Sequence, residues 1–115
     1  KLPANSSNSM IELGYVAKNP VGGLVGGITG KLLLGNCLSI DILWVDPKYR
    51  DQDYGTKLLQ TLEQESKKLT SKLSIVDTFD FQALGFYEKN GYTIFGVLED
   101  CPCAGNKRYY LSKKL

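Results

Sequence analysis

The run CLSIDILWV (Cys37–Val45) leads directly into DPKYRDQDYGTKLL (residues 46–59), and the change of pattern between them decides the fold. The first run is rich in Ile, Leu, Val and Trp and predicts a β-strand. Asp46-Pro47 ends it, and a loop follows to Gly55. From Thr56 to Thr70 the period changes: Leu58, Leu59, Leu62 and Leu69 fall near one helical face. Glu63 and Lys67 stand four apart with the acid first, which suits an exposed helical surface. A loop entering a helix presents unpaired backbone N–H groups at the positive end of a dipole, an arrangement that binds phosphate.

Upstream of this joint, Met10 to Ala17 and Leu24 to Leu34 read as extended segments separated by the breaker Lys18-Asn19-Pro20. Gly35-Asn36 reads as a turn, so the first three strands form an antiparallel meander. Downstream, Leu73 to Thr78 reads as a strand reached by a right-handed crossover and therefore parallel to the earlier one. A short helix from Gln82 to Asn90 ends at Gly91, a residue suited to a left-handed C-cap. Thr93 to Leu98 and Lys107 to Leu111 complete the pattern as two strands joined by a Pro/Gly loop. The order predicts an α/β (α+β) mixed sheet with helices on its faces, in one domain over residues 1–115 whose first nine residues are loose.

The composition excludes several function classes. At 115 residues, 43% hydrophobic and 23% charged, the chain resembles an ordinary globular domain. A net charge of +2 argues for neither nucleic acid nor an anionic membrane surface. Lys113 and Lys114 read as a solvated end. No apolar run reaches the ~20 residues of a membrane span, and nothing resembles a secretory signal. Three cysteines are too few and too odd for a disulfide scaffold, which points to a reduced, cytoplasmic setting. With no histidine, neither a closed Cys/His zinc site nor a Ser/His/Asp triad can be assembled, so Cys101-Pro102-Cys103 is expected to be a loop pair and no metal is expected. The glycine run from Gly22 to Lys31 lacks the Walker A residues: Val25 and Leu32 stand where Gly and Ser/Thr belong. It reads as a strand whose glycines permit bulges or close approach.

Two blocks carry a family resemblance. Arg50-Asp51-Gln52-Asp53-Tyr54-Gly55, after the Leu43-Trp44-Val45 strand end, resembles the acetyl-CoA signature Arg-x-x-(Gly)-x-Gly of the GNAT N-acetyltransferase superfamily. Ala83-Leu84-Gly85-Phe86-Tyr87, followed by Gly91-Tyr92, resembles the later helix of that superfamily, in family order and at suitable separation. Leu43-Trp44-Val45-Asp46 and Asp77-Thr78-Phe79 are also similar to a bacterial subgroup of small acetyltransferases. The resemblance covers Met10 to the C-terminus.

It implies that acetyl-CoA is the cosubstrate and a small-molecule or peptide amine the acceptor, with neither nucleic acid nor membrane as partner. Backbone groups of Leu43 and Val45, flanking Trp44, would pair with the pantetheine arm like an added strand. Amides from Asp51 through Gln52, Asp53, Tyr54 and Gly55 to Thr56, with Arg50 beside them, would cradle the pyrophosphate. Tyr87 falls where many members place the general acid that protonates the departing thiolate. Asp41 shares the parity of Leu43 and Val45 on an ideal strand, which makes it a candidate base acting through water. An Asp that only orients loops is the structural alternative.

The chain departs from the family pattern in two places. Asp53 stands where the pattern has Gly, placing a negative charge and a Cβ where close approach to a pyrophosphate is needed. Its plainer role would be to N-cap the helix and compete for the same amides. Fewer than thirty residues precede the presumed third strand of the family, so the helical front that walls the acceptor site is expected to be short or missing. These departures keep a second reading open, a catalytically degenerate GNAT-fold binding or regulatory domain. A sheet completed in a homodimer is compatible with either.

Overall fold

The computed structural model describes residues 10–33 and 36–115. Alternation along the strands sets which face is covered. In β1 (Ile11–Lys18), Leu13, Tyr15 and Ala17 pack against the core, while in β2 (Leu24–Leu33) Ile28 and Leu32 are fully buried. Leu38 and Ile40 of β3 (Cys37–Val45) and Val76 of β4 (Leu73–Thr78) continue the same layer. Leu58, Leu59 and Leu62 of α1 (Tyr54–Lys68) close over it, joined by Tyr87 of α2 (Phe81–Lys89). With β5 (Thr93–Glu99) and β6 (Lys107–Lys114), the sheet has six strands in the order β1-β2-β3-β4-β6-β5. Only β3 and β4 run parallel, as a crossover through α1 requires. The mixed sheet with two helices matches the expected fold class.

Two irregularities shape the site. The β2–β3 register slips between Thr29 and Gly30, which pair with Ile42 and Ile40, so Asp41 is the extra residue of a β-bulge. The bulge reverses the alternation: Leu38 and Ile40 face α1 before it, Leu43 and Val45 after it. Second, β3 and β4 stay paired only from Cys37↔Leu73 to Ser39↔Ile75. Beyond that, β3 runs on to Val45 and β4 to Thr78, and the two diverge into an open wedge.

Element ends agree with local chemistry. Gly91, at φ 93, closes α2 in a Schellman motif, with Tyr92 N–H donating to Tyr87 C=O and Gly91 N–H to Glu88 C=O. The helix itself begins at Phe81, one residue earlier than expected, because the Asp80 carboxylate accepts from Gln82 N–H. β6 continues to Lys114, past the expected end at Leu111. Its Lys113, expected to be solvated, turns inward: the ammonium reaches Glu63 Oε1 at 3.0 Å. Glu63, only 6% exposed, also accepts from the Tyr92 hydroxyl at 2.7 Å, and Ser74 Oγ lies 2.7 Å from that hydroxyl. This network ties α1 to β4, β6 and the start of β5. Of the turn expected at Gly35-Asn36, Gly35 lies outside the described residues, as do Leu34 and the N-terminal nine.

Candidate active site

The wedge leaves a strand edge open on the α1 face. Asp46 N–H donates to Val25 C=O, which marks Val25/Asp46 as a hydrogen-bonded pair of the antiparallel ladder. Alternation then gives the backbone groups of Trp44 to β2 and turns those of Leu43 and Val45 toward the gap that β4 has vacated. Among the described residues Val45 C=O meets only Arg50 Nε, at a long 3.5 Å.

Below this edge lies the loop into α1. A single 3₁₀ turn, Pro47–Tyr49, is capped by the Asp46 carboxylate, which accepts from Lys48 N–H. Asp51 and Asp53 then both take left-handed backbone, each at φ 65. That conformation favours Gly and is tolerated by Asp at a cost of ~1–2 kcal/mol. Asp53 occupies the N-cap position of α1, but its side chain makes no capping bond. The expected competition for the first-turn amides is therefore absent: a left-handed residue points its carboxylate away from them. No hydrogen bond among the described residues uses the N–H groups of residues 52–56, and the first backbone bond is Lys57 N–H to Asp53 C=O. The helix starts at Tyr54, two residues before the expected Thr56, because the Asp53 pivot and not Gly55 launches it.

These parts meet in one cleft of about 460 Å³. Leu43, Trp44 and Val45 form one wall, Arg50, Asp51, Asp53, Tyr54, Gly55 and Thr56 the floor, and Asp80, Gln82, Ala83, Phe86 and Lys89 the far side. Every expected cofactor residue except Gln52 lines it. The α2 wall and Tyr49 were missed, although Gln82, Phe86 and Lys89 at spacings of four and three mark one face of a helix.

The two expected catalytic residues are placed differently. Tyr87 lies under the cleft in the aromatic cluster with Phe86 and Tyr92, 5% exposed. Among the described residues its hydroxyl has no hydrogen-bond partner, yet none of their fully enclosed side-chain polar atoms is unpaired. The exposed remnant of Tyr87 thus includes its oxygen. Burial, with the Asp77 charge adding to it, pushes the phenol up to about 12, so it is neutral and a donor at physiological pH. Asp41 does not share the face of Leu43 and Val45 as ideal alternation predicts. The bulge places it beside Lys31, whose ammonium is 4.0 Å from Oδ2, on the sheet face away from the helices. Among the described residues no group of three or more His, Cys, Asp or Glu side chains could hold a metal.

Comparisons with known proteins bear on the family and the fold. The profile of the acetyltransferase (GNAT) domain matches residues 11–94. A blasticidin-S acetyltransferase from Streptomyces morookaense is 35% identical over 95 residues, covering 82% of this chain and 68% of the relative. An acetyltransferase of Agrobacterium fabrum is 31% identical over 87 residues, 76% of this chain and 63% of its own length. The crystal structure of an acetyltransferase from Bacillus cereus superposes with a TM-score of 0.87 at 38% identity, covering 99% of this chain and 80% of that one. A Bacillus anthracis protein described as a streptothricin acetyltransferase, solved with acetyl coenzyme A, shares the fold at 24% identity and a TM-score of 0.81, over 90% of this chain and 62% of that one.

Proposed function

The chain belongs to the GNAT acetyltransferase family, and on that premise we propose that it transfers an acetyl group from acetyl-CoA to the primary amine of a small molecule. One observation carries the reading: a row of unpaired amides at a helix N-terminus and an open strand edge converge on the same cleft. The pyrophosphate takes the amides of residues 52–56 and the dipole of α1. The pantetheine arm pairs with Leu43 and Val45 in the wedge, which leads the thioester toward Tyr87.

The amine nitrogen attacks the acetyl carbonyl, the C–S bond breaks, and the sulfur leaves as a thiolate. A phenol held near 12 is a weaker acid than a thiol at about 8.5, so Tyr87 does not surrender its proton outright. It donates a hydrogen bond to the developing thiolate and relays a proton that the attacking amine releases. Burial keeps this donor neutral, and the solvent-touching oxygen places it within reach of the gap.

The degenerate reading rested on Asp53 and on the short front; of these, the competition of Asp53 for the first-turn amides is absent, and their freedom favours turnover. A small-molecule acceptor is supported by the relative named for blasticidin S. The test is release of coenzyme A thiol from acetyl-CoA across a panel of primary amines, with Tyr87→Phe alongside. Amine-dependent release that falls at least about a hundredfold in the variant is expected. Equal rates with and without every amine would contradict the reading.

A further inference from the structure

Two carboxylates border the splayed strands, Asp41 on β3 and Asp77 on β4, and each has a cation beside it. The pairings differ in kind. Lys31 reaches Asp41 Oδ2 only at 4.0 Å. Arg108 grips Asp77 through two short bonds, Nε at 2.8 Å and Nη2 at 2.7 Å, and both end on the same oxygen, Oδ2. Oδ1 therefore has no hydrogen-bond partner among the described residues. The guanidinium cannot easily slide across to take both oxygens. It is held by the rings of Phe79 and Tyr110, each centroid 5.2 Å away. A carboxylate offers about four lone-pair sites, so half of this one is unused.

Position gives the free oxygen its meaning. Asp77 follows buried Val76 on β4, so its side chain projects from the face opposite the helices. It stands beyond Ile75, the last β4 residue paired with β3, and so on the part of the strand that borders the gap. Tyr87 belongs to the same core cluster as Val76, on the helix side of that strand, and the Asp77 charge adds to the burial that raises its phenol. A hydrogen-bond donor and a carboxylate acceptor thus flank the opening from its two sides.

We propose that the free Oδ1 of Asp77 anchors the acceptor's ammonium group at the open side of the wedge, making Asp77 the residue that selects a cationic primary amine. This rests on the transferase reading and assigns its acceptor side. The anchored amine faces the thioester across the gap from Tyr87. On losing a proton to solvent along the carboxylate, its nitrogen attacks the carbonyl carbon; the C–S bond breaks, and the second proton of the nitrogen passes by way of Tyr87 to the departing thiolate. Arg108 keeps Oδ1 directed outward and, by neutralising part of the carboxylate charge, lets the product amide leave.

The experiment is an amide and guanidinium NMR titration of the full chain with ethylammonium, with and without coenzyme A. The coenzyme is read independently at the amides of residues 52–56, so failure of the transferase reading shows there and not at Asp77. Saturable shifts at the Asp77 amide and Arg108 Nε–H are expected, weakened at least tenfold in Asp77→Asn and partly restored in Asp77→Glu. Arg108→Met, which frees the carboxylate, should tighten ethylammonium severalfold; this variant decides the matter should Asp77→Asn not fold. Shifts confined to Asp41 and Lys31, equal affinity in Asp77→Asn, weaker binding in Arg108→Met, or no shift at Asp77 would each overturn the proposal.

Discussion

Replacing Asp53 with asparagine removes one negative charge from the floor of the cleft without disturbing its backbone, since Asn also tolerates the left-handed conformation seen at φ 65. The unmodified carboxylate is solvent-exposed and makes no capping bond, so its remaining effect on a pyrophosphate at residues 52–56 is through-space repulsion. At ~5 Å that repulsion is roughly 0.8 kcal/mol in a water-like dielectric and roughly 3 kcal/mol at an effective dielectric of 20. Exposure favours the lower end, about 1 kcal/mol, which is about a fivefold gain in acetyl-CoA affinity. Asp53→Gly should gain as much. Its melting temperature should change little, because relief of left-handed strain offsets the extra entropy of an unfolded glycine. Calorimetric titration at about 50 mM and about 1 M salt separates charge from shape: the gain should shrink as the screening length falls from over ten to about three ångströms. Equal affinity in all three proteins would refute the argument. So would a gain confined to glycine, which would assign the effect to backbone shape.

Other expectations follow from single contacts. Tyr87→Phe should slow turnover about a hundredfold or more while leaving acetyl-CoA affinity intact, measured by steady-state kinetics and calorimetry. The raised phenol also links to stability: its contribution is fully present below pH ~10, the unfolded value, and is lost as pH rises through about 12, the folded value. Melts between pH 9 and 12 should therefore show an alkaline loss roughly 2–3 kcal/mol larger than in Tyr87→Phe, where the raised Tyr92 and Tyr15 phenols still contribute. Tyr92→Phe removes a partner from buried Glu63 and from Ser74 and should cost about 1–3 kcal/mol in denaturant unfolding. In Gly27→Ala the new Cβ would lie 2.8 Å from Trp44 Nε1, so the indole must move; about 1–3 kcal/mol of stability and part of the coenzyme affinity should go with it.

Where composition and spacing report on local chemistry, they place elements well. β3 and β4 begin and end where the apolar runs and the Asp46-Pro47 stop indicate. The loop signature brings Arg50, Asp51, Asp53, Tyr54, Gly55 and Thr56 to one cleft. The bulge at Asp41 was not legible, because Ile40, Ile42, Leu43, Trp44 and Val45 are apolar on both faces and hide the change of parity. Lys113 looks solvated in sequence, since only the fold shows that Glu63, fifty residues away, is buried and needs a cation. The role of Asp53 was half legible: its substitution for Gly is plain, but that its carboxylate leaves the amides free depends on a backbone angle. Asp77 and Arg108 come from different strands: Asp77 stands opposite Tyr110, and Arg108, two residues before Tyr110, reaches it diagonally, which only the folded sheet shows.

The claim that acetyl-CoA lies along the wedge and over the α1 N-terminus is tested most directly by amide hydrogen exchange with and without the coenzyme. The account predicts new protection at residues 52–56, whose N–H groups have no acceptor among the described residues, and at Leu43 and Val45 on the open edge of β3. Protection that instead appears in the groove between β1 and α1, lined by Tyr15, Lys57 and Thr61, or that appears nowhere, would contradict it.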